Sequence, residues 1–177
     1  ANGTYPTSFW SPGEAVRDQM NLAIPAETPP GQYELQLEVV SRAGPLSILD
    51  RNRAPIGPTL RIGSVALSPA ASPPRPDNVL ARRRLNSPIY EGLAILGYSL
   101  GRPELQPGEQ LRVDIVWQAT QPIERDLLFR LAILDTTGKP WASQSGRPVG
   151  DPYPTPAWRT GEILRAQYNL TLPAATP

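Results

Sequence analysis

Residues 110–119 read Gln-Leu-Arg-Val-Asp-Ile-Val-Trp-Gln-Ala, and this stretch decides the fold class. Apolar side chains take every second position in it: Leu111, Val113, Ile115 and Trp117. Arg112 and Asp114 lie between them, so in an extended strand the two sets point to opposite faces. A strand with this pattern has one face in the protein core and the other toward polar surroundings. We therefore predict a core strand here, with Trp117 buried.

The same two-residue period recurs before and after this stretch, for example at Tyr33, Leu35 and Leu37. It predicts further strands at residues 20–24, 33–39, 46–49, 59–67, 91–100, 127–135 and 163–172. Turn-forming residues stand between them: Pro-Gly at 30–31 and 107–108, and Thr-Thr-Gly-Lys at 136–139. The 23 prolines and 14 glycines also favour many short strands joined by turns. Together these patterns predict an all-β fold, an immunoglobulin-like antiparallel β-sandwich.

Composition excludes several classes of site. The 177 residues contain no cysteine and no histidine, which excludes thiol chemistry, soft-metal sites and His-dependent catalytic triads. A formal net charge of +1 argues against binding nucleic acid or an anionic membrane surface. No apolar run approaches the ~20 residues that span a bilayer. We expect no cofactor, no metal and no nucleic-acid partner, and membrane attachment only through other parts of a larger protein.

The two ends of the chain repeat each other. The motif Tyr-Pro-Thr-x-x-Trp-x-x-Gly-Glu begins at Tyr5 and again at Tyr153, an offset of 148 residues. Residues 5–29 align with residues 153–177 without a gap, and more than half of the positions are identical. Such similarity indicates the same piece of two consecutive modules. We therefore predict that the chain is part of a tandem array in a larger protein.

The repeat also sets the predicted domain boundaries. We expect residues 1–67 to be the C-terminal half of one module, residues 68–84 a Pro- and Arg-rich linker, and residues 85–177 the N-terminal and middle part of the next module. The half that the second module lacks is present in the first as residues 33–67. The hypothesis that follows is a sandwich built from the two halves in permuted order, within one chain or as a strand-exchanged dimer. One copy of the repeated segment would then have no place in the sandwich.

In module order the chain carries a series of short blocks: Leu-Gly-Tyr-Ser-Leu (96–100), Pro-Gly-Glu-Gln-Leu (107–111), Val-Trp-Gln-Ala (116–119), Ala-Ile-Leu-Asp (132–135), the Tyr-Pro-Thr-x-x-Trp block and Pro-Gly-x-Tyr-x-Leu (30–35). This order resembles a tandem immunoglobulin-like module from the extracytoplasmic C-terminal regions of large bacterial membrane proteins. Many of those proteins resemble dolichyl-phosphate-mannose-type glycosyltransferases. The resemblance implies an extracytoplasmic location, at the cell surface or attached to a membrane through the parent protein. A further likeness, to the polysaccharide-recognising domain of O-antigen ABC transporters, rests on general sandwich features.

Aromatic residues are the candidates for ligand binding: Tyr5, Trp10, Trp141, Tyr153 and Trp158. Aromatic faces on a rigid sandwich can stack on sugar rings. In the alternative interpretation, the Tyr-Pro-Thr-x-x-Trp block pins an irregular crossover to the sandwich, with the tryptophan at the edge of the core. Exposed, coplanar rings would favour sugar binding, and buried rings would favour a role in the fold.

We expect no catalytic residue. The carboxylates considered for a hard-cation site lack calcium-loop spacing: Asp114, Asp135, Asp151 and Glu162. A Ser–Lys pair would need Lys139, which lies in a predicted hairpin turn. The sequence therefore favours a non-catalytic extracytoplasmic structural or interaction module, whose partners are neighbouring protein modules or a polysaccharide. The alternative is a carbohydrate-binding module that serves an attached glycosyltransferase-like membrane enzyme.

Overall fold

The structure, a computed structural model, describes residues 5–174. Single turns of 3₁₀-helix in this range lie at Thr7–Phe9, Pro76–Asn78 and Thr155–Ala157. The strands are β1 (Gly31–Glu38), β2 (Val40–Ser41), β3 (Gly44–Pro45), β4 (Ile48–Leu49), β5 (Pro55–Gly57), β6 (Thr59–Leu67), β7 (Arg83–Tyr90), β8 (Leu93–Leu100), β9 (Gln110–Ala119), β10 (Phe129–Leu134), β11 (Pro140–Gly146) and β12 (Ile163–Thr171). The predicted all-β fold class is confirmed. Across residues 5–174, no helix has the length and apolar character needed to cross a membrane.

Four antiparallel strands form the main sheet, in the order β12-β9-β8-β7. In it, Trp117 of β9 lies opposite Leu164 of β12 and Ile95 of β8. A β-bulge between Ile95 and Gly97 shifts the register of β8, so that Tyr98 contacts the same core cluster as Ile95. The bulge explains why the apolar positions of this strand change from odd to even residue numbers.

The hairpin β10–β11 packs on one face of this sheet and covers the main hydrophobic core. The ring of Phe129 on β10 lies 5.8 Å from that of Trp117 and 4.6 Å from that of Tyr168, between ring centroids. The Trp117 Nε1 group donates a hydrogen bond of 2.8 Å to the hydroxyl of Tyr168. That hydroxyl donates to the carbonyl oxygen of Pro148, and burial raises the pKa of Tyr168 above its ordinary value. The predicted burial of Trp117 is confirmed.

The opposite face of the sheet is covered by a segment that the sequence assigned to a linker. Val79 is buried and packs against Val116 and Ile163. Strand β7 begins at Arg83, inside the predicted linker range of 68–84, and Arg84 forms an ion pair of 3.4 Å with Asp77. The segment before β7 therefore contributes to the fold as well as connecting its parts.

The first part of the chain forms a separate two-stranded hairpin, β1–β6, with short pairs β2–β3 and β4–β5 between its strands. Opposite residues such as Tyr33 and Val65 share one face of β1–β6, and Glu34 and Ser64 share the other. The predicted strand at residues 20–24 is wrong, because this segment has no regular structure and its apolar side chains are exposed. Within residues 5–174, the strands of residues 31–67 and of residues 83–171 lie in different sheets. The permuted assembly thus remains a hypothesis.

Candidate functional site

The second copy of the repeated motif folds into a compact corner around Tyr153. The single proton of the Tyr153 hydroxyl is shared between two acceptors, the carbonyl of Ala157 at 3.0 Å and the carboxylate of Glu162 at 3.0 Å. The Trp158 Nε1 group donates to the carbonyl of Tyr153 at 3.2 Å, and the amide of Arg159 donates to Glu162 at 2.8 Å. Burial, and after it the hydrogen bond to Glu162, raises the pKa of Tyr153 to about 12. The hydroxyl is therefore a donor at neutral pH.

The first copy of the motif forms the same corner with the same atoms. The Tyr5 hydroxyl shares its proton between the carbonyl of Phe9 at 3.3 Å and the carboxylate of Glu14 at 2.9 Å. Trp10 Nε1 donates to the carbonyl of Tyr5 at 3.3 Å, and the amide of Ser11 donates to Glu14 at 2.8 Å. The hydrogen bond to Glu14 raises the pKa of Tyr5, and the Ser11 amide, followed by Tyr5, lowers the pKa of Glu14. Residues 5–14 and 153–162 thus each make a hydrogen-bonded unit from local contacts.

Within residues 5–174, the second corner is docked on the end of β9 and the loop after it, whereas no such bonds join the first corner to a strand. The Thr155 hydroxyl has no exposed surface, donates to the carbonyl of Arg125 at 2.7 Å and accepts from the amide of Leu127 at 2.9 Å. The amide of Gly161 donates to the carbonyl of Ala119 at 2.7 Å, and the amide of Ala119 donates to the carbonyl of Glu162 at 3.0 Å. These bonds fix the corner to the end of β9 and to the loop that follows it.

The aromatic candidates therefore fall into different environments. Trp158 is only 4% exposed and stacks against Tyr153, with ring centroids 6.5 Å apart and planes inclined by 17°. Trp10 is 43% exposed, and residues 5–14 pair with no strand in the part of the chain that the structure describes. The same side chain in the same local fold is thus buried in one copy and open to solvent in the other.

Trp141, the fifth aromatic candidate, lies at the turn of the β10–β11 hairpin. Its Nε1 group donates to Asp135 at 3.0 Å, and the ammonium of Lys139 lies 4.2 Å from its ring centre. Asp135 also accepts from the amide and hydroxyl of Thr137 and the amide of Lys139. These bonds, the Thr137 side chain first, lower the pKa of Asp135 to about 2. The half-buried Trp141 is thus anchored to its own turn, apart from both corners.

The carboxylates considered for a cation site each have a partner of their own. Asp114 pairs with Arg112 at 3.1 Å, and Asp151 pairs with Arg147 at 3.1 Å. Asp135 accepts bonds within its turn, and Glu162 accepts them within the corner. Among residues 5–174, no group of three or more acidic side chains is arranged to hold a metal ion.

A cleft that the sequence did not predict lies between residues 25–33 and the sandwich. Its volume is about 560 Å³, within the usual range for small-molecule sites. Glu27 and Arg165 close one side with an ion pair of 3.1 Å. Polar and aromatic side chains line it: Tyr33, Phe129, Gln144, Arg147, Asp151 and Gln167. These residues come from separate parts of the chain with no shared motif, so only the folded chain shows that they meet.

Arg147 forms ion pairs with two carboxylates at this cleft. Its guanidinium lies 2.7 Å from Asp126 and 3.1 Å from Asp151. Asp126, through its hydrogen bond and charge, raises the pKa of Arg147, and the same contact lowers the pKa of Asp126. The guanidinium is therefore already paired on two sides, and the side-chain amides of Gln144 and Gln167 are further polar groups in the lining of the cleft.

A comparison of the chain with protein-family models, with curated proteins and with solved structures found no match.

Proposed function

We propose that the chain is a non-catalytic structural and interaction module of immunoglobulin-like β-sandwich type, part of a tandem array outside the cytoplasm. One observation carries this proposal: both copies of the motif form the same corner. The second copy is docked through Thr155, and in the first copy the equivalent Thr7 is exposed. Docking onto the end of a strand explains both copies with one role. A sugar-binding role for the block explains the exposed copy alone.

The environment of the docked rings supports a role in the fold. A sugar platform needs an accessible ring face, and Trp158 exposes only 4% of its surface. Its Nε1 group is satisfied within the corner by the carbonyl of Tyr153. On this proposal, the exposure of Trp10 reflects a corner without its strand partner.

The proposed parent and location rest on the order of the sequence blocks and on the repeat at an offset of 148 residues. We propose a large bacterial membrane protein that resembles dolichyl-phosphate-mannose-type glycosyltransferases, with this module in its extracytoplasmic region. In that setting the module acts as a spacer that contacts neighbouring modules. The absence of cysteine removes disulfides from the ways in which it can be stabilised.

A glycan and polysaccharide binding screen with matched variants tests the proposal. Trp158→Ala is expected to destabilise the fold by about 3–5 kcal/mol, whereas Trp10→Ala costs about 1 kcal/mol or less. The wild-type chain and Trp10→Ala are expected to give the same result with every glycan. Binding that a folded Trp10→Ala chain loses would contradict the structural role and establish an aromatic platform.

The cleft beside Tyr33 supports the second candidate function, carbohydrate binding. It has the size of a small-molecule site, and amide groups such as Gln144 can bond sugar hydroxyls. The test is the same screen with Gln144→Ala and, as a control away from the cleft, Gln36→Ala. If a glycan binds, this candidate predicts that only Gln144→Ala weakens it. Equal binding by both variants would place the sugar elsewhere.

A further inference from the structure

The β1–β6 hairpin has one polar face and one apolar face. Pairing in register places the polar side chains of Glu34 and Arg61 on one side, where they form an ion pair of 3.1 Å. The other side carries apolar side chains and two glycines: Gly31, Tyr33, Leu35, Leu37, Leu60, Gly63, Val65 and Leu67. Leu35, Leu37 and Leu60 are each 37–38% exposed. A sheet face of this kind is ordinarily covered by a second layer.

The sandwich has a matching gap. A cleft of about 320 Å³ opens between the main sheet and the hairpin β10–β11. The lining of this cleft is apolar and includes Leu85, Ile95, Leu100, Leu111, Leu131 and Ile133. The gap exists because two strands, β10 and β11, face a sheet of four. The second layer is thus narrower than the first.

The repeat indicates what covers the gap in a complete module. Leu170 of β12 lines the cleft, and its counterpart in the first copy is Leu22. In that first copy, the hairpin begins at Gly31, nine residues after Leu22. Nine extended residues reach about 30 Å, enough to bring a hairpin from β12 to the cleft beside it. A hairpin of the β1–β6 type therefore belongs next to this cleft in the order of the module.

The hairpin within the same chain does not cover the cleft. The hairpin begins at Gly31, which lies beside Pro152. A Cβ atom added to Gly31 would lie 3.9 Å from the Cβ of Pro152. This places the start of β1 near the connection between β11 and β12, and the apolar face remains exposed. Each chain thus offers one open cleft and one hairpin face that is exposed at Leu35, Leu37 and Leu60, while Tyr33 of that face lines the cleft at residues 25–33.

We propose that the cleft lined by Leu100, Leu131 and Ile133 binds the β1–β6 hairpin of a second copy of this chain. The exchange is reciprocal, so two copies satisfy both hairpins and both clefts and the assembly closes as a two-fold dimer. The apolar face with Leu35 and Leu37 enters the cleft, and the polar face with Glu34 and Arg61 stays in solvent. The inference rests on these two surfaces and on the repeat, and it does not require the spacer role proposed above.

Sedimentation velocity on the full chain tests the dimer, with two variants that differ only in the face they change. Leu37→Glu places an unpaired charge on the apolar face and is expected to weaken self-association about a hundredfold. Gln36→Glu adds the same charge to the polar face and is expected to change it by less than about threefold. Far-UV circular dichroism checks that both variants are folded. A chain that stays monomeric up to ~200 µM, or a dimer that Leu37→Glu leaves intact, overturns the proposal.

Disulfide trapping identifies the surfaces, because the chain has no cysteine of its own. A mixture of Leu37→Cys and Ile133→Cys chains is expected to form a mixed disulfide dimer under mild oxidation. Gln36→Cys replaces Leu37→Cys in the control and is expected to give little of it. If the double variant Leu37→Cys with Ile133→Cys instead closes within one chain at high dilution, the hairpin covers its own cleft and the proposed second copy is wrong.

Discussion

Replacing Thr155 with valine removes the hydroxyl that docks the second corner while keeping the shape of the side chain. In the wild-type chain, the Thr155 hydroxyl oxygen lies 2.7 Å from the carbonyl oxygen of Arg125 and 2.9 Å from the amide nitrogen of Leu127. The change leaves both backbone groups without this partner. Each lost hydrogen bond costs about 1–1.5 kcal/mol, so we expect Thr155→Val to lower the free energy of unfolding by about 2–3 kcal/mol.

The repeat supplies a control at the same position of the same motif. Thr7 is the counterpart of Thr155 and is exposed, so Thr7→Val is expected to change the free energy of unfolding by less than about 0.5 kcal/mol. Thr155→Ser keeps the hydroxyl and is expected to recover most of the loss.

Urea unfolding followed by tryptophan fluorescence measures these differences. With a denaturant dependence of about 2 kcal/mol per molar urea, Thr155→Val should move the midpoint down by about 1–1.5 M at unchanged slope. Equal midpoints for Thr155→Val and Thr7→Val would refute the conclusion that the second corner is docked through this side chain.

The remaining predictions concern the bulge and the hairpin turn. Gly97→Ala is expected to destabilise the sandwich by about 2 kcal/mol or more, because a Cβ there would lie 2.4 Å from the carbonyl oxygen of Arg83. Thermal unfolding measures this, and Gly146→Ala, which meets nothing within 4 Å, should be neutral; equal losses would contradict the close approach. Because the pKa of Asp135 is lowered in the folded chain, its ionised carboxylate should stabilise the turn fully at a pH above its unfolded pKa of about 3.9. This stabilisation should be lost as the pH falls through the folded pKa of about 2. A side-chain NMR titration checks this, and an Asp135 midpoint near 3.9 would refute it.

Alternating side chains predicted much of the fold. Residues 110–119 became β9 and buried Trp117, since alternation suits a strand with one face in the core. Val116, on the other face, is also buried because the segment with Val79 packs on it. Strand β11 has no such pattern in Pro-Trp-Ala-Ser-Gln-Ser-Gly, and its pairing with β10 came from the turn at Asp135. Strand β7 was not predicted, because the Pro- and Arg-rich composition of the residues before it indicated a linker.

Alternation alone could not decide the state of the repeated segment. Met20, Leu22 and Ile24 alternate like Tyr168, Leu170 and Leu172, yet only the second set belongs to a strand or its buried end. The difference is the neighbour: β12 pairs with β9, whereas residues 20–24 pair with no strand among the described residues. Tertiary contacts, which a local pattern does not contain, therefore determine which copy becomes a strand.

The candidate site was predicted in part. The motif identified Tyr153 and Trp158 as a unit, and the structure joins them in one corner. Their burial could not be read from residue types, because aromatic residues occur both in cores and in binding sites. The cleft beside Tyr33 was missed, since its lining comes from segments far apart in sequence.

The local bonding of the corner also bears on the order of folding. The side-chain hydrogen bonds between residues of the corner span nine residues or fewer, from Tyr153 to Glu162 at the longest. Loops of this length close in about 10–100 ns, far faster than strands separated by many residues find each other. The corner at Tyr5 forms although residues 5–14 pair with no strand among residues 5–174, which indicates that the motif can be complete before docking. The hydrogen bonds of Thr155 then form late in folding, when the preformed corner docks on the sheet. Thr155→Val should therefore accelerate unfolding more than it slows folding.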